Sequence, residues 1–188
     1  MNDKKLKKLE HIGKQVRNCQ KCGLCDNGLG VPGEGSEEAE VMFVGEAPGR
    51  VESVTGKPFA GPSGKLLTKL FELAGLRREA VFITSVIKHR PPMNRKPTRT
   101  EITECIPYLR GQLGIIRPKA VVLLGSTALN SILGMEIGKI TQLHGKTVER
   151  EGTTYFIAYH PAAGLRSVNV VCPMMNEDFK KLGDLLKR

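Results

Sequence analysis

Apolar residues in this chain alternate between continuous runs and stripes at helical spacing. Leu6, Leu9, Ile12 and Val16 recur every three or four residues and predict an amphipathic helix over 4–17. A glycine-rich loop is expected over 27–35, then a strand over 40–45. The glycine- and proline-rich stretch 46–62 reads as an ordered loop. Ser63 is expected to cap a helix through about residue 74, with Leu66, Leu67, Leu70, Phe71 and Leu73 as its buried face. A second strand follows over 81–87. A helix over roughly 100–113 starts near Thr100 and turns Ile102, Cys105, Ile106 and Leu109 inward. Residues 119–124 are almost continuously apolar, as in a strand buried on both faces. Ser126 is expected to cap a short helix to about 133. A hairpin over 146–150 and 153–159 turns at Glu151-Gly152, and a last helix covers about 174–187. Strands alternating with helices predict a three-layer α/β/α sandwich around a central, mostly parallel β-sheet. The expected organisation is a single domain over 1–188, in which residues 1–35 add a helix and a metal-binding segment.

Composition narrows the function class. The chain has 188 residues, 40% of them hydrophobic, enough for a proper core. No apolar run reaches membrane-spanning length, so no membrane partner is expected. Met1-Asn2-Asp3-Lys4-Lys5 is charged with no apolar stretch after it, so no secretory signal is expected and a cytoplasmic location follows. The net charge of +10 favours a polyanionic partner, nucleic acid first. Lys88, Arg90, Arg95, Lys96 and Arg99 gather in a stretch stiffened by Pro91, Pro92 and Pro97. Such a loop could track a phosphate backbone.

Two segments carry the candidate chemistry. Gly45-Glu46-Ala47-Pro48-Gly49 follows the run Val41-Met42-Phe43-Val44, and His160-Pro161 follows Tyr155-Phe156-Ile157-Ala158-Tyr159. Each reads as a buried strand ending in an abrupt polar turn. Ligands of open α/β sheets sit at the carboxyl ends of strands, so these turns suggest two walls of one pocket. The five cysteines are Cys19, Cys22, Cys25, Cys105 and Cys172, an odd number that argues against a disulfide framework. The tight Cys19-x-x-Cys22-x-x-Cys25 spacing suits one metal centre, zinc or iron–sulfur. Cys105, with His89 16 residues before it, offers a second half-site. Cys25 competes with His89 for the fourth position. Cys172 reads as a buried small side chain.

Several of these blocks resemble the family 4 uracil-DNA glycosylases. Gly45 to Gly49, Glu52, and Gly56-Lys57-Pro58-Phe59-Ala60-Gly61 are similar to that family's first motif. Thr84-Ser85-Val86-Ile87-Lys88-His89-Arg90-Pro91-Pro92, continued by Asn94-Arg95, resembles its second block. His160-Pro161-Ala162-Ala163-Gly164-Leu165-Arg166 resembles its closing motif. Cys19, Cys22 and Cys105 match three of the four cysteines that hold a structural four-iron four-sulfur cluster there. The family usually has cysteine at His89, and a related crosslinking group of uracil-binding proteins carries histidine; imidazole can replace thiolate on a cluster iron. The stretch Pro91 to Thr98 holds no histidine, so no covalent trapping of DNA is expected.

The resemblance implies a monofunctional glycosylase that releases uracil from DNA in base-excision repair, acting as a monomer. No clamp-binding peptide is visible, so association with a sliding clamp is not readable. Phe59 matches the residue on which a flipped base stacks. The main chain at Gly45 and Ala47 would contact the base. His160 would stabilise the departing base, and Glu46 or Glu52 would orient water or stabilise a sugar cation. Leu165 would wedge into the DNA, and Arg166, Lys88, Arg90, Arg95 and Arg99 would hold phosphates. Ser85 stands where the family places asparagine and offers one hydroxyl in place of a paired donor and acceptor. That change keeps two alternatives open: release of hypoxanthine or xanthine, and recognition of a damaged base without cleavage.

Overall fold

The computed structural model describes residues 2–187, with side chains from Lys4 onward; Met1 and Arg188, inside the expected 1–188 domain, lie outside the described residues. The chain opens with α1 (Asn2–Arg17), an edge strand β1 (Glu34–Gly35) and β2 (Val41–Gly45). Next come α2 (Arg50–Thr55), α3 (Pro62–Leu73), β3 (Phe82–Ser85), α4 (Arg99–Ile116) and β4 (Ala120–Leu124). Then follow α5 (Ser126–Leu133), α6 (Ile140–Leu143), β5 (Thr147–Arg150) and β6 (Thr153–Ala158). The chain closes with α7 (Pro161–Arg166) and α8 (Val171–Leu186).

The strands form one sheet in the order β1-β3-β2-β4-β6-β5. Its four central strands, β3, β2, β4 and β6, run parallel, and the two edges are antiparallel. β2 and β4 are buried at every position because both faces of the sheet are covered. Alternate residues serve opposite layers. Met42, Val44, Val121 and Leu123 pack under Leu109 and Ile116 of α4 and Leu129 of α5. Phe43, Val122 and Leu124 pack under Leu67 and Phe71 of α3 and Phe179 of α8. Phe43 anchors that second layer, its ring centroid 4.6 Å from that of Phe71 and 6.2 Å from that of Phe179. The expected three-layer arrangement is therefore present. Among the described residues no helix is long and apolar enough to cross a membrane.

Several local expectations change. Ser63 does not cap α3: Gly61 holds the N-cap position and Pro62 supplies the pre-set first turn. Gly125, not Ser126, precedes α5, with φ 88° in the left-handed region that glycine tolerates. α4 begins one residue early because Thr98 and Glu101 form a reciprocal capping box, with Thr98 Oγ1 accepting the Glu101 N–H (3.2 Å) and the Glu101 carboxylate accepting the Thr98 N–H (2.7 Å). α8 starts at Val171, since Pro173 is tolerated in a first turn. α2, α7 and β1 form inside stretches read as loop or left unassigned.

From β2 the chain crosses through α3 to β3 on one side. From β3 it crosses through α4 to β4 on the other. The reversal opens a crevice at the carboxyl ends of the central strands, where open α/β sheets place ligands.

Candidate active site

The four parallel strands each deliver residues to a cleft of about 660 Å³. Glu46 and Ala47 come from the end of β2, Ser85 from β3, Gly125, Ser126 and Thr127 from beyond β4, and Tyr159 and His160 from beyond β6. Ser63 and Ser126, released from capping, line the same cleft. The two turns singled out in the sequence thus do face one pocket.

Phe59 sits on a loop built to hold it. Its backbone is left-handed (φ 48°), an unfavourable state for a bulky residue. Buried Glu52 braces that loop: Oε2 accepts the Gly49 N–H (3.0 Å) and Oε1 accepts the Gly61 N–H (2.8 Å). Both carboxylate oxygens are therefore engaged by main chain on either side of Phe59. A Cβ at Gly64 would stand 1.7 Å from the Phe59 carbonyl oxygen, and one at Gly45 2.8 Å from its ring. Both glycines let the loop and strand approach this closely. The Phe59 and His160 rings lie stacked, centroids 5.5 Å apart at 28°.

His160 caps α7, its Nδ1 accepting the Ala162 N–H (3.1 Å). Accepting at Nδ1 places the proton of the neutral ring on Nε2. Burial, reinforced by the Arg166 cation, lowers its pKa to about 4, with the Glu52 carboxylate pulling the other way. Near neutral pH the ring is an uncharged donor at Nε2, on the side of Gly45 and Phe59.

Glu46 is half-buried, and Thr127 Oγ1 donates to its Oε2. Thr127 was not singled out in the sequence; its signal is its place just beyond the continuous strand that ends at Leu124. Ser85 is buried in the wall of the cleft.

The basic residues divide. Lys88 does not join the phosphate-facing set. The chain stays buried beneath α4 through His89, so the Lys88 side chain is fully enclosed. Its ammonium donates to Thr84 Oγ1 (2.6 Å), the Ser85 carbonyl (2.8 Å) and Gln112 Oε1 (2.8 Å). Burial lowers its pKa to about 7, against an opposing pull from Cys105. Arg95 lines the cleft, but both terminal nitrogens are tied to Glu101 (2.9 and 2.6 Å), so it serves first as a brace of the basic loop. That pairing and the capping bond hold the Glu101 carboxyl at about 2. Arg90 donates from Nε to Asn94 Oδ1 (2.7 Å). Arg99 is exposed at the start of α4, and Arg166 and Leu165 are exposed on α7.

Cys19 and Cys22 lie within electrostatic reach of Cys105, and burial raises the Cys105 thiol to about 11. The Lys88 N–H donates to Cys105 Sγ (3.2 Å), which brings the adjacent His89 to this side of the fold. His89 is buried against Gly30, and burial lowers its pKa, favouring the neutral ligating form. Cys25 instead bonds Asp26 (3.7 Å), whose carboxylate adds to burial in disfavouring the thiolate. Among the described residues, no three Cys, His, Asp or Glu side chains are drawn round a single ion. Cys172 is half-buried on α8, where full burial was expected; it packs beside Gly164.

Comparison with known proteins agrees with this geometry. The chain is 45% identical to the type-4 uracil-DNA glycosylase of Sulfurisphaera tokodaii, over 94% of this chain and 84% of the relative. It is 44% identical to that of Archaeoglobus fulgidus, over 96% and 94%, and 38% identical to that of Thermotoga maritima, over 96% and 95%. The family description that matches residues 32–183 is the uracil DNA glycosylase superfamily. With the cleft, the family match and relatives alike over nearly their whole length, the chain belongs to the uracil DNA glycosylase superfamily.

Proposed function

We propose that this chain is a monofunctional uracil-DNA glycosylase that hydrolyses the N-glycosidic bond of a uracil flipped out of DNA. The observation that carries this reading is His160: an uncharged imidazole, fixed by the Ala162 N–H, offers Nε2–H beside Phe59. A base in a duplex cannot be reached in place, so the nucleotide must leave the stack. The flipped base lies against Phe59. As the C1′–N1 bond breaks, its electron pair passes to the base and negative charge gathers on O2. A fixed donor at that oxygen stabilises the charge as it develops. The oxygen of water then bonds C1′, and its proton leaves to the Glu46 carboxylate or to solvent. Glu46, steadied by Thr127, is the carboxylate placed for this task. Glu52 acts through Phe59, as a brace. Ala47 supplies no carboxylate of its own, so stabilisation of the leaving base carries the reaction.

Uracil is the proposed base because the type-4 relatives are named for it. Ser85 offers one hydroxyl to the base edge, so selectivity rests more on the main chain at Gly45 and on the fit against Phe59. One chain lines the whole cleft, and a monomer suffices.

Cys19, Cys22, His89 and Cys105 would hold a four-iron four-sulfur cluster, as the resemblance to the type-4 glycosylases implies. The donor set suits it in chemistry: Cys19 and Cys22 lie within electrostatic reach of Cys105, and a buried neutral imidazole stands next to the residue that bonds Cys105. When bound, such a group ties the N-terminal segment to α4 and shapes the basic loop. Iron and sulfide analysis with absorbance near 400 nm distinguishes it from zinc.

Release of base from oligonucleotides carrying uracil, hypoxanthine or xanthine tests the function. Uracil release supports the proposal. Release of a purine alone, or tight binding with no release, would overturn it.

A further inference from the structure

The basic loop after β3 carries a residue that phosphate binding does not explain. Met93 is 93% exposed, more than any other large apolar side chain among the described residues. Its neighbours Arg90, Lys96 and Arg99 are cations, and Pro91, Asn94, Arg95 and Lys96 form a wall of the cleft. Met93 therefore stands at the rim. Ala162, Ala163 and Arg166 line the same cleft, and Leu165 on that helix is 44% exposed.

The exposure is enforced. Met93 (φ 53°) and Asn94 (φ 55°) are consecutive left-handed residues, a conformation asparagine tolerates and methionine rarely adopts. The surrounding bonds impose it. The Asn94 N–H donates to the Pro91 carbonyl (3.0 Å) and the Arg95 N–H to the Pro92 carbonyl (3.1 Å). Arg90 grips the Asn94 side chain, and Arg95 is clamped by Glu101, which the Thr98 capping box fixes in turn. A loop held at this many points presents its apolar tip in one place.

A ligand that suits cations and an apolar tip side by side has charged rails and apolar faces between them. Duplex nucleic acid has that form, and apolar side chains, methionine among them, enter between its base steps. We infer that Met93 is a second wedge, distinct from Leu165: it enters the base stack beside the flipped nucleotide. This rests on the glycosylase reading above. Its consequence is specific, because a wedge helps only where a stack must be held open.

The test compares Met93→Ala and Met93→Leu with the wild type in single-turnover uracil release, using one sequence as duplex and as single strand. Met93→Ala is expected to lose roughly tenfold or more on duplex, about 1.4 kcal/mol, and to stay within about twofold on single strand. Met93→Leu is expected to recover most of the duplex rate. 2-Aminopurine beside the uracil should brighten less on binding the alanine variant. Equal losses on both substrates, or none on either, would overturn the wedge. Wild-type release from single strand with an unaltered duplex-to-single-strand ratio in Met93→Ala refutes the wedge alone. Absence of release from every substrate by the wild type refutes the glycosylase reading itself.

Discussion

Glu52→Gln separates a structural brace from a chemical participant. The carboxylate accepts two main-chain amides, from Gly49 at 3.0 Å and Gly61 at 2.8 Å. Glutamine keeps the shape and one oxygen. Its amide nitrogen then faces an N–H, donor against donor. One charge-assisted hydrogen bond is lost, worth about 1.5–3 kcal/mol, and the remaining one weakens. At about 2–4 °C per kcal/mol for a chain of this size, the melting temperature should fall by about 3–12 °C. Phe59, held in its left-handed conformation by this brace, should become less well placed, so base release should fall with the stability. The assay pairs thermal unfolding with single-turnover release from one uracil oligonucleotide. An unchanged melting temperature with a rate loss of roughly a thousandfold, in the range expected when an acid–base group is removed, would refute the brace and place Glu52 in the chemistry.

Three further outcomes follow from the geometry. His160 has its folded pKa lowered to about 4 from 6.5, so the unfolded chain binds the extra proton first; its stabilising contribution is complete above pH 6.5 and is lost as pH falls from there toward 4. Base release should accordingly keep its rate down to about pH 5, and a pH–rate profile with a midpoint near 6.5 would contradict the neutral-donor assignment. At the buried Lys88, Lys88→Met should destabilise less than Gln112→Leu, which leaves the ammonium short of an acceptor, and denaturant unfolding of the pair checks the order. On the surface, Arg99→Ala should reduce the salt slope of DNA binding by about one, whereas Lys88→Met should leave it unchanged.

The sheet was legible because burial on both faces writes itself as unbroken apolar runs. Val41–Val44 and Ala120–Leu124 needed no other signal. The cleft was legible from polar turns placed at the ends of those strands. What escaped were partnerships between distant segments. Lysine reads as surface, and the groups that admit Lys88 to the interior, Thr84 and Gln112, lie on β3 and α4. Glu52 reads as a candidate for the chemistry until Gly61, nine residues on, is seen bonded to it. α2 is a single short helix with no apolar stripe; its buried residues are the polar Glu52 and Ser53, and the Glu52 carboxylate holds its start by accepting the Gly49 N–H. Thr127 reveals its role only when β2 and β4 lie side by side.

The most direct test of the central claim is uracil release under single turnover by the wild type and by His160→Ala, with DNA binding measured in parallel. The wild type should release uracil, and His160→Ala should lose roughly 10²–10³-fold in rate while binding DNA nearly as well. Binding without release in the wild type, or a wild-type rate in His160→Ala, would contradict it.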